Sequence, residues 1–137
     1  MSVKPFFDTN VLIYALSQDD PRTEVARIIL TMGGTISVQV LNELTSVLRR
    51  KLKMNWKEVV EALDAVRILC PTVVSLTPET HEKALVIAER YGYQIYDSQI
   101  IASGLAAKTK TLYSEDMNDG QVIEDVLTIR NPFNGKT

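Results

Sequence analysis

The sequence is short of the residues that most often carry chemistry on their own. Its 137 residues include one cysteine, Cys70, and one histidine, His81. A lone cysteine builds neither a disulfide framework nor a cysteine-rich metal site, and the Cys and His spacing that binds zinc is missing. His81 stands beside Glu79, Glu82 and Lys83 on a helix-forming stretch, the setting of a surface histidine. Ser-His-Asp and Cys-His catalysis therefore have little support. There is no GxxxxGK[ST] phosphate loop and no GxGxxG dinucleotide fingerprint. No apolar run approaches the roughly 18 residues that span a bilayer, and the opening MSVKPFF lacks a signal-peptide core. These absences set the expectation of a reduced, cytoplasmic protein without a membrane partner.

What remains has the composition of a folded globular protein, with 45% hydrophobic and 23% charged residues. The length suits a single domain over residues 1–137 with one core. No repeat, low-complexity tract or linker interrupts it. The net charge of −2 does not announce a nucleic-acid binder. One cluster departs from that balance: Arg49, Arg50, Lys51, Lys53 and Lys57 fall within nine residues. Read alone, they are a solvated helix end, where cations are favoured.

Strand and helix patterns alternate along the chain. "KPFFD" reads as a short buried strand, and Val11 to Ser17 as a short helix. Pro21 suits a first helical turn, and Arg22 to Leu30 carries Val25, Ile28 and Ile29 at helical spacing, ended by Gly33-Gly34. "TISV" is β-branched. From Val38 to Lys51, Val40, Leu41, Leu44, Val47 and Leu48 repeat with helical period. Asn55 is placed to cap a helix over Trp56 to Leu69. "TVVSL" is a strand ended by Thr77-Pro78, and Pro78 to Tyr91 is a helix stopped by Gly92. Asp97 opens the apolar helix "SQIIASGLAA", followed by the strands "TLY" and "VLTIR" before "NPFNG" breaks the chain. The alternation predicts an α/β domain with a mostly parallel sheet.

Ligands in such sheets bind beyond the carboxyl ends of the strands, and the acids gather there. Asp8 closes the first strand. Glu43 lies about two turns into the helix after "TISV". Asp97 heads a helix apolar enough to be buried, and Asp116 follows "TLYS". Each has an ordinary reading: a helix cap for Asp8 and Asp97, an exposed helical position for Glu43, a turn residue for Asp116, as for Glu115 and Asp119. Together they would face one rim. With oxygen donors alone available, the site chemistry suits Mg²⁺ or Mn²⁺.

These segments resemble, in order and over nearly the whole chain, the motifs of PIN-domain ribonucleases. "FFDTNVLIY" is similar to the first motif, "VLNEL" to the second, "IYDSQIIASGLA" to the third and "TLYSEDM" to the fourth. Bacterial stand-alone members are mostly VapC-type toxins of toxin–antitoxin pairs, and "GQVIEDVLTIRNPF" also looks like a branch of that group. The resemblance implies a three-layer α/β/α sandwich around a short, mostly parallel sheet. It implies Asp8, Glu43, Asp97 and Asp116 as the catalytic, metal-binding acids, with Asn10 and Ser114 supporting them. The usual fourth motif reads closer to Thr-x-Asp-x-Asp-Phe, whereas this one runs from Ser114 through Glu115, Asp116, Met117 and Asn118 to Asp119. Asp119 is therefore the rival of Asp116.

The implied reaction is hydrolysis of an RNA phosphodiester with one or two Mg²⁺ or Mn²⁺ ions, and the implied partner is an antitoxin protein. With RNA implicated, Arg49, Arg50, Lys51, Lys53 and Lys57 become a candidate backbone-binding surface. A homodimer is also expected. The helices between Val38 and Leu69 carry more apolar surface than one side of a small sheet needs, and stand-alone PIN proteins pair. Two alternatives stand beside this reading. One is a PIN-like module that binds RNA or protein without cutting. The other is a Mg²⁺-dependent phosphatase or receiver-like phosphoacceptor using Asp8.

Overall fold

The computed structural model describes residues 3–134. Each of the first three strands is followed by a pair of helices, and three strands close the chain: β1 (Phe6–Phe7), α1 (Thr9–Leu16), α2 (Thr23–Thr31), β2 (Thr35–Ser37), α3 (Val38–Arg50), α4 (Trp56–Leu69), β3 (Thr72–Val74), α5 (Pro78–Tyr91), α6 (Ile95–Ala106), β4 (Thr111–Tyr113), β5 (Val122–Ile123) and β6 (Leu127–Arg130). The strands form one sheet in the order β3-β2-β1-β4-β6-β5, and every pairing is parallel except β5 with β6. Helices cover both faces, giving the three-layer α/β/α sandwich that the sequence implied.

Phe6 and Phe7 point to opposite faces of a central strand, and both are fully buried. Each contributes on the order of 1.5–3 kcal/mol through burial, so a strand of two residues holds its place by packing more than by its ladder. Gly34 belongs to this packing. A Cβ there would lie 2.1 Å from Phe7 Cε2, which excludes any side chain. Helix ends follow local chemistry. Ser37 caps α3 by accepting from Val40 N, and Asn55 and Glu58 form a reciprocal capping box on α4. Pro78 starts α5, and Gly92 ends it in the left-handed region at φ 79°.

Four local expectations change. Asp8 lies outside β1, and α1 starts directly after it at Thr9. Asp97 does not open α6: Gln94 is the cap, accepting from Tyr96 N, and Asp97 is the third helical residue. "TVVSL" is a strand only over Thr72–Val74. A further strand, β5, runs antiparallel to β6 across a tight turn in which Glu124 and Asp125 both take positive φ. Gly135 of "NPFNG" lies outside the described residues.

The chain leaves β1 toward β2 on one side, and later returns to pair β4 on the other. The gap between β1 and β4 is thus a topological switch point, where the crossovers on either side diverge and leave a crevice at the strands' carboxyl ends.

Candidate functional site

Asp8 and Asp116 follow β1 and β4, on the two sides of that crevice. Their backbones are locked together: Asp8 N donates to Tyr113 O at 2.9 Å, and Ser114 N donates to Arg130 O on β6 at 3.0 Å. Glu43 arrives on α3 and Asp97 on the first turn of α6. All four carboxylates line one cleft with Thr9, Asn10, Ser46 and Arg50. Four segments far apart in sequence therefore bring their acids to one place.

Asp8 is 3% exposed and both a helix cap and a cleft acid, since Oδ1 accepts from Thr9 N at 2.7 Å. The other oxygen, Oδ2, accepts from the Ser114 hydroxyl at 2.7 Å and from Asn10 Nδ2 at 3.2 Å. Asn10 Nδ2 also donates to Asp116 Oδ2 at 3.1 Å, while Asn10 Oδ1 accepts from Glu115 N at 3.2 Å. Asn10 therefore ties the start of α1 to the loop after β4. Ser114 Oγ accepts from Asp116 N at 3.2 Å, fixing the same loop from beneath. Glu43 is held by the Thr9 hydroxyl at 2.6 Å and by Gln39 Nε2 at 2.8 Å.

The electrostatics run against leaving these acids charged. Burial pushes the Asp8 carboxyl up to about 7, and the neighbouring charges of Asp97 and Glu43 add to it, although bonds from Ser114 and Thr9 N oppose the shift. Burial also raises the Asp97 carboxyl, with Asp116 and Glu43 adding to it against a hydrogen bond from Gln94. Among the described residues the ion pairs are Arg22 with Asp20 and Glu115, and Lys83 and Arg90 with Glu124. None of the four cleft acids has one. Oxygen donors of concentrated negative charge suit a hard divalent cation. No three acidic, histidine or cysteine side chains among the described residues already stand as a ligand set. Oxygens of Asp8, Glu43 and Asp116 are instead engaged by Thr9, Asn10, Gln39 and Ser114.

The rivals of Asp116 separate cleanly. Asp119 accepts from Asn131 N at 2.9 Å and Asn134 Nδ2 at 3.0 Å, which ties down the segment after β6. Glu115 takes the Arg22 guanidinium and the Tyr14 hydroxyl, and Arg22 lies over the Tyr14 ring at 3.9 Å. Only Asp116 of the three turns into the cleft. The basic run divides: Arg50 lines the cleft with Nε on Ser46 Oγ at 3.0 Å, while Arg49 stacks on Trp56. Lys51, Lys53 and Lys57 are exposed and do not line the cleft. Sequence reasoning passed over Gln39 and Ser46. Their signal was spacing, since each lies within one helical turn of Glu43.

A family model described as PIN domain matches residues 6–118. Among curated protein sequences none is a significant match. Solved structures are similar in fold. A toxin–antitoxin complex from Klebsiella pneumoniae superposes with a TM-score of 0.72 at 17% identity, covering 94% of this chain and 98% of that one. VapC20 of Mycobacterium tuberculosis, described as a Sarcin-Ricin loop cleaving toxin, gives 0.66 at 20% identity over 82% and 91%. VapBC2 of Rickettsia felis, bound to a DNA fragment from its promoter, gives 0.65 at 19% identity over 93% and 97%. The family match covers the switch-point cleft and all four of its acids, and on that match the chain belongs to the PIN domain family.

Proposed function

We propose that this PIN domain is a divalent-metal-dependent endoribonuclease and the toxin of a toxin–antitoxin pair. One observation carries the reading: four carboxylates from four segments face one cleft with no ion-pair partner among the described residues, and burial raises two of them, Asp8 and Asp97. Asp8, Glu43, Asp97 and Asp116 would hold Mg²⁺ or Mn²⁺. Once bound, that ion would polarise a phosphodiester and ease deprotonation of the attacking water.

The protein's own groups prepare the site. Ser114 and Thr9 N steady Asp8 as a carboxylate, Asn10 fixes the spacing of Asp8 and Asp116, and Thr9 with Gln39 aims Glu43. Arg50 stands at the cleft wall, where a phosphate oxygen of an RNA strand would meet it.

The toxin assignment draws on the fold neighbours, one of which is described as a toxin–antitoxin complex and another as an RNA-loop cleaving toxin. An apolar hollow lined by Leu12, Ala15, Leu30, Val66 and Leu69, between α1, α2 and α4, offers a surface for a partner segment. The homodimer belongs to the same proposal. α3 commits Val40, Leu44 and Leu48 to its own core, but α4 and α5 leave Ile68, Leu85 and Val86 exposed. No helix among the described residues is long and apolar enough to cross a membrane, and we place the activity in the cytoplasm.

The test is cleavage of RNA by the purified protein with and without Mn²⁺, beside Asp8→Asn. Metal-dependent cleavage lost in the variant supports the reading. RNA binding with no cleavage at any metal concentration would leave a non-catalytic binding module.

A further inference from the structure

Arg49 and Trp56 form a stack at the junction of α3 and α4. The Arg49 guanidinium carbon lies 4.5 Å from the centroid of the Trp56 ring. Arg49 is held there by donating from Nη1 to Met54 O at 2.9 Å, across the turn that links the helices. The Asn55–Glu58 capping box, with bonds of 2.8 and 2.9 Å, fixes Trp56 as the first residue of α4. Trp56 is nonetheless 60% exposed. Arginine covers one face, and the rest of a rigid aromatic surface is open to solvent. A bulky apolar side chain held flat and uncovered has no role in the core.

Its surroundings identify what it suits. Residues 49–57 carry five cations and no acid. A second copy docked face to face across a two-fold would set those cations against each other. A polyanion would be attracted to them. Arg50, next in the chain to Arg49, lines the acid cleft, so the stack and the cleft are joined by adjacent residues. Aromatic faces flanked by cations hold unpaired bases, because every base has a π-face and every phosphate a charge.

We propose that Trp56 is a base-stacking platform for single-stranded RNA, holding a nucleotide outside the cleft while Arg50 and the acids meet the phosphate to be cut. The proposal rests on the ribonuclease reading for the identity of the substrate, but binding is separable from cleavage. Trp56 is the only tryptophan in the chain, so its fluorescence reports the contact directly.

The experiment titrates the full chain, in EDTA so that nothing is cut, with a short single-stranded oligoadenylate. Saturable quenching is expected, its midpoint moving to higher oligonucleotide concentration as salt is raised. Anisotropy of a labelled oligonucleotide should show Trp56→Ala binding roughly tenfold or more weakly, and Trp56→Phe far closer to wild type. Circular dichroism of both variants should match wild type, since Trp56 is not a core residue. Binding without quenching, equal quenching by a duplex, unaltered binding by Trp56→Ala or no binding at all would each overturn the proposal. A Trp56 spectrum that follows protein concentration and ignores oligonucleotide would assign this face to a contact between copies instead. Quenching by a protein that never cuts RNA would keep the platform and remove the nuclease.

Discussion

The Ser114 hydroxyl donates to Asp8 Oδ2 at 2.7 Å, joining the carboxyl ends of β1 and β4 across 106 residues of sequence. It opposes the burial that drives Asp8 toward its protonated form. Hydrogen bonds to a charged group contribute about 1.5–3 kcal/mol. Ser114→Ala should therefore raise the Asp8 carboxyl further and weaken Mn²⁺ binding by roughly tenfold or more. Calorimetric titration with Mn²⁺ measures this. An unchanged affinity would mean that the hydroxyl serves only the backbone of Asp116.

Asp116 and Asp119 should part company on mutation. Asp116→Asn removes a cleft acid, and RNA cleavage should fall by about a hundredfold or more, the scale of losing an electrostatic contributor. Asp119→Ala loosens the segment beyond β6 that it holds through Asn131 and Asn134. It should lower the melting temperature while leaving Mn²⁺ affinity in place. Cleavage lost with Asp119 and retained without Asp116 would exchange their roles.

Stability without metal should fall as pH rises. Asp8 titrates near 7 in the folded chain against 3.8 ordinarily. Between those values the folded state binds more protons than the unfolded state, so stability is lost from about pH 4 to about pH 7. The loss is bounded by on the order of 4 kcal/mol for this group. Asp97→Asn removes one of the charges acting on Asp8. In EDTA at pH 8 it should melt at or above wild type, and the difference should shrink toward pH 4. Added Mn²⁺ should raise its melting point less than that of wild type. A variant clearly less stable than wild type in EDTA at pH 8 would show that the Gln94 bond to Asp97 outweighs the repulsion.

The turn between β5 and β6 should depend on charge. Glu124 sits at φ 53°, held by Lys83, Arg90 and the Tyr91 hydroxyl, while its own N–H donates to Tyr91 at 3.0 Å. Glu124→Gln should lower the melting temperature and make it less sensitive to salt, with Mn²⁺ binding unchanged. Equal melting curves for variant and wild type in low salt would show that the turn holds itself.

That turn also shows where sequence reading stops. "IEDV" offers an aspartate but neither of the glycine and asparagine that most often take positive φ in a tight hairpin, so β5 left only a faint local trace. Its geometry is set from α5, more than thirty residues earlier. Asp8 was legible because the strand pattern ended on it, yet cap and site could not be separated from sequence. In the structure one oxygen caps α1, and the other takes the Ser114 hydroxyl at the cleft. Asp97 was found by its place at the head of a buried helix. Its offset from the cap was hidden because Gln94, an uncommon capping residue, does that work. That Asp116 faces the cleft while Asp119 holds the segment after β6 depends on the distant partners Asn10 and Asn131, which no local pattern links.

The most direct test of the account is RNA cleavage by wild type and Asp8→Asn, each in EDTA and in Mn²⁺, on protein whose circular dichroism is shown to be intact. Cleavage by wild type in Mn²⁺ alone, with Asp8→Asn at least about a hundredfold slower, is the predicted result. Full cleavage in EDTA, or near-normal cleavage by Asp8→Asn, would contradict it.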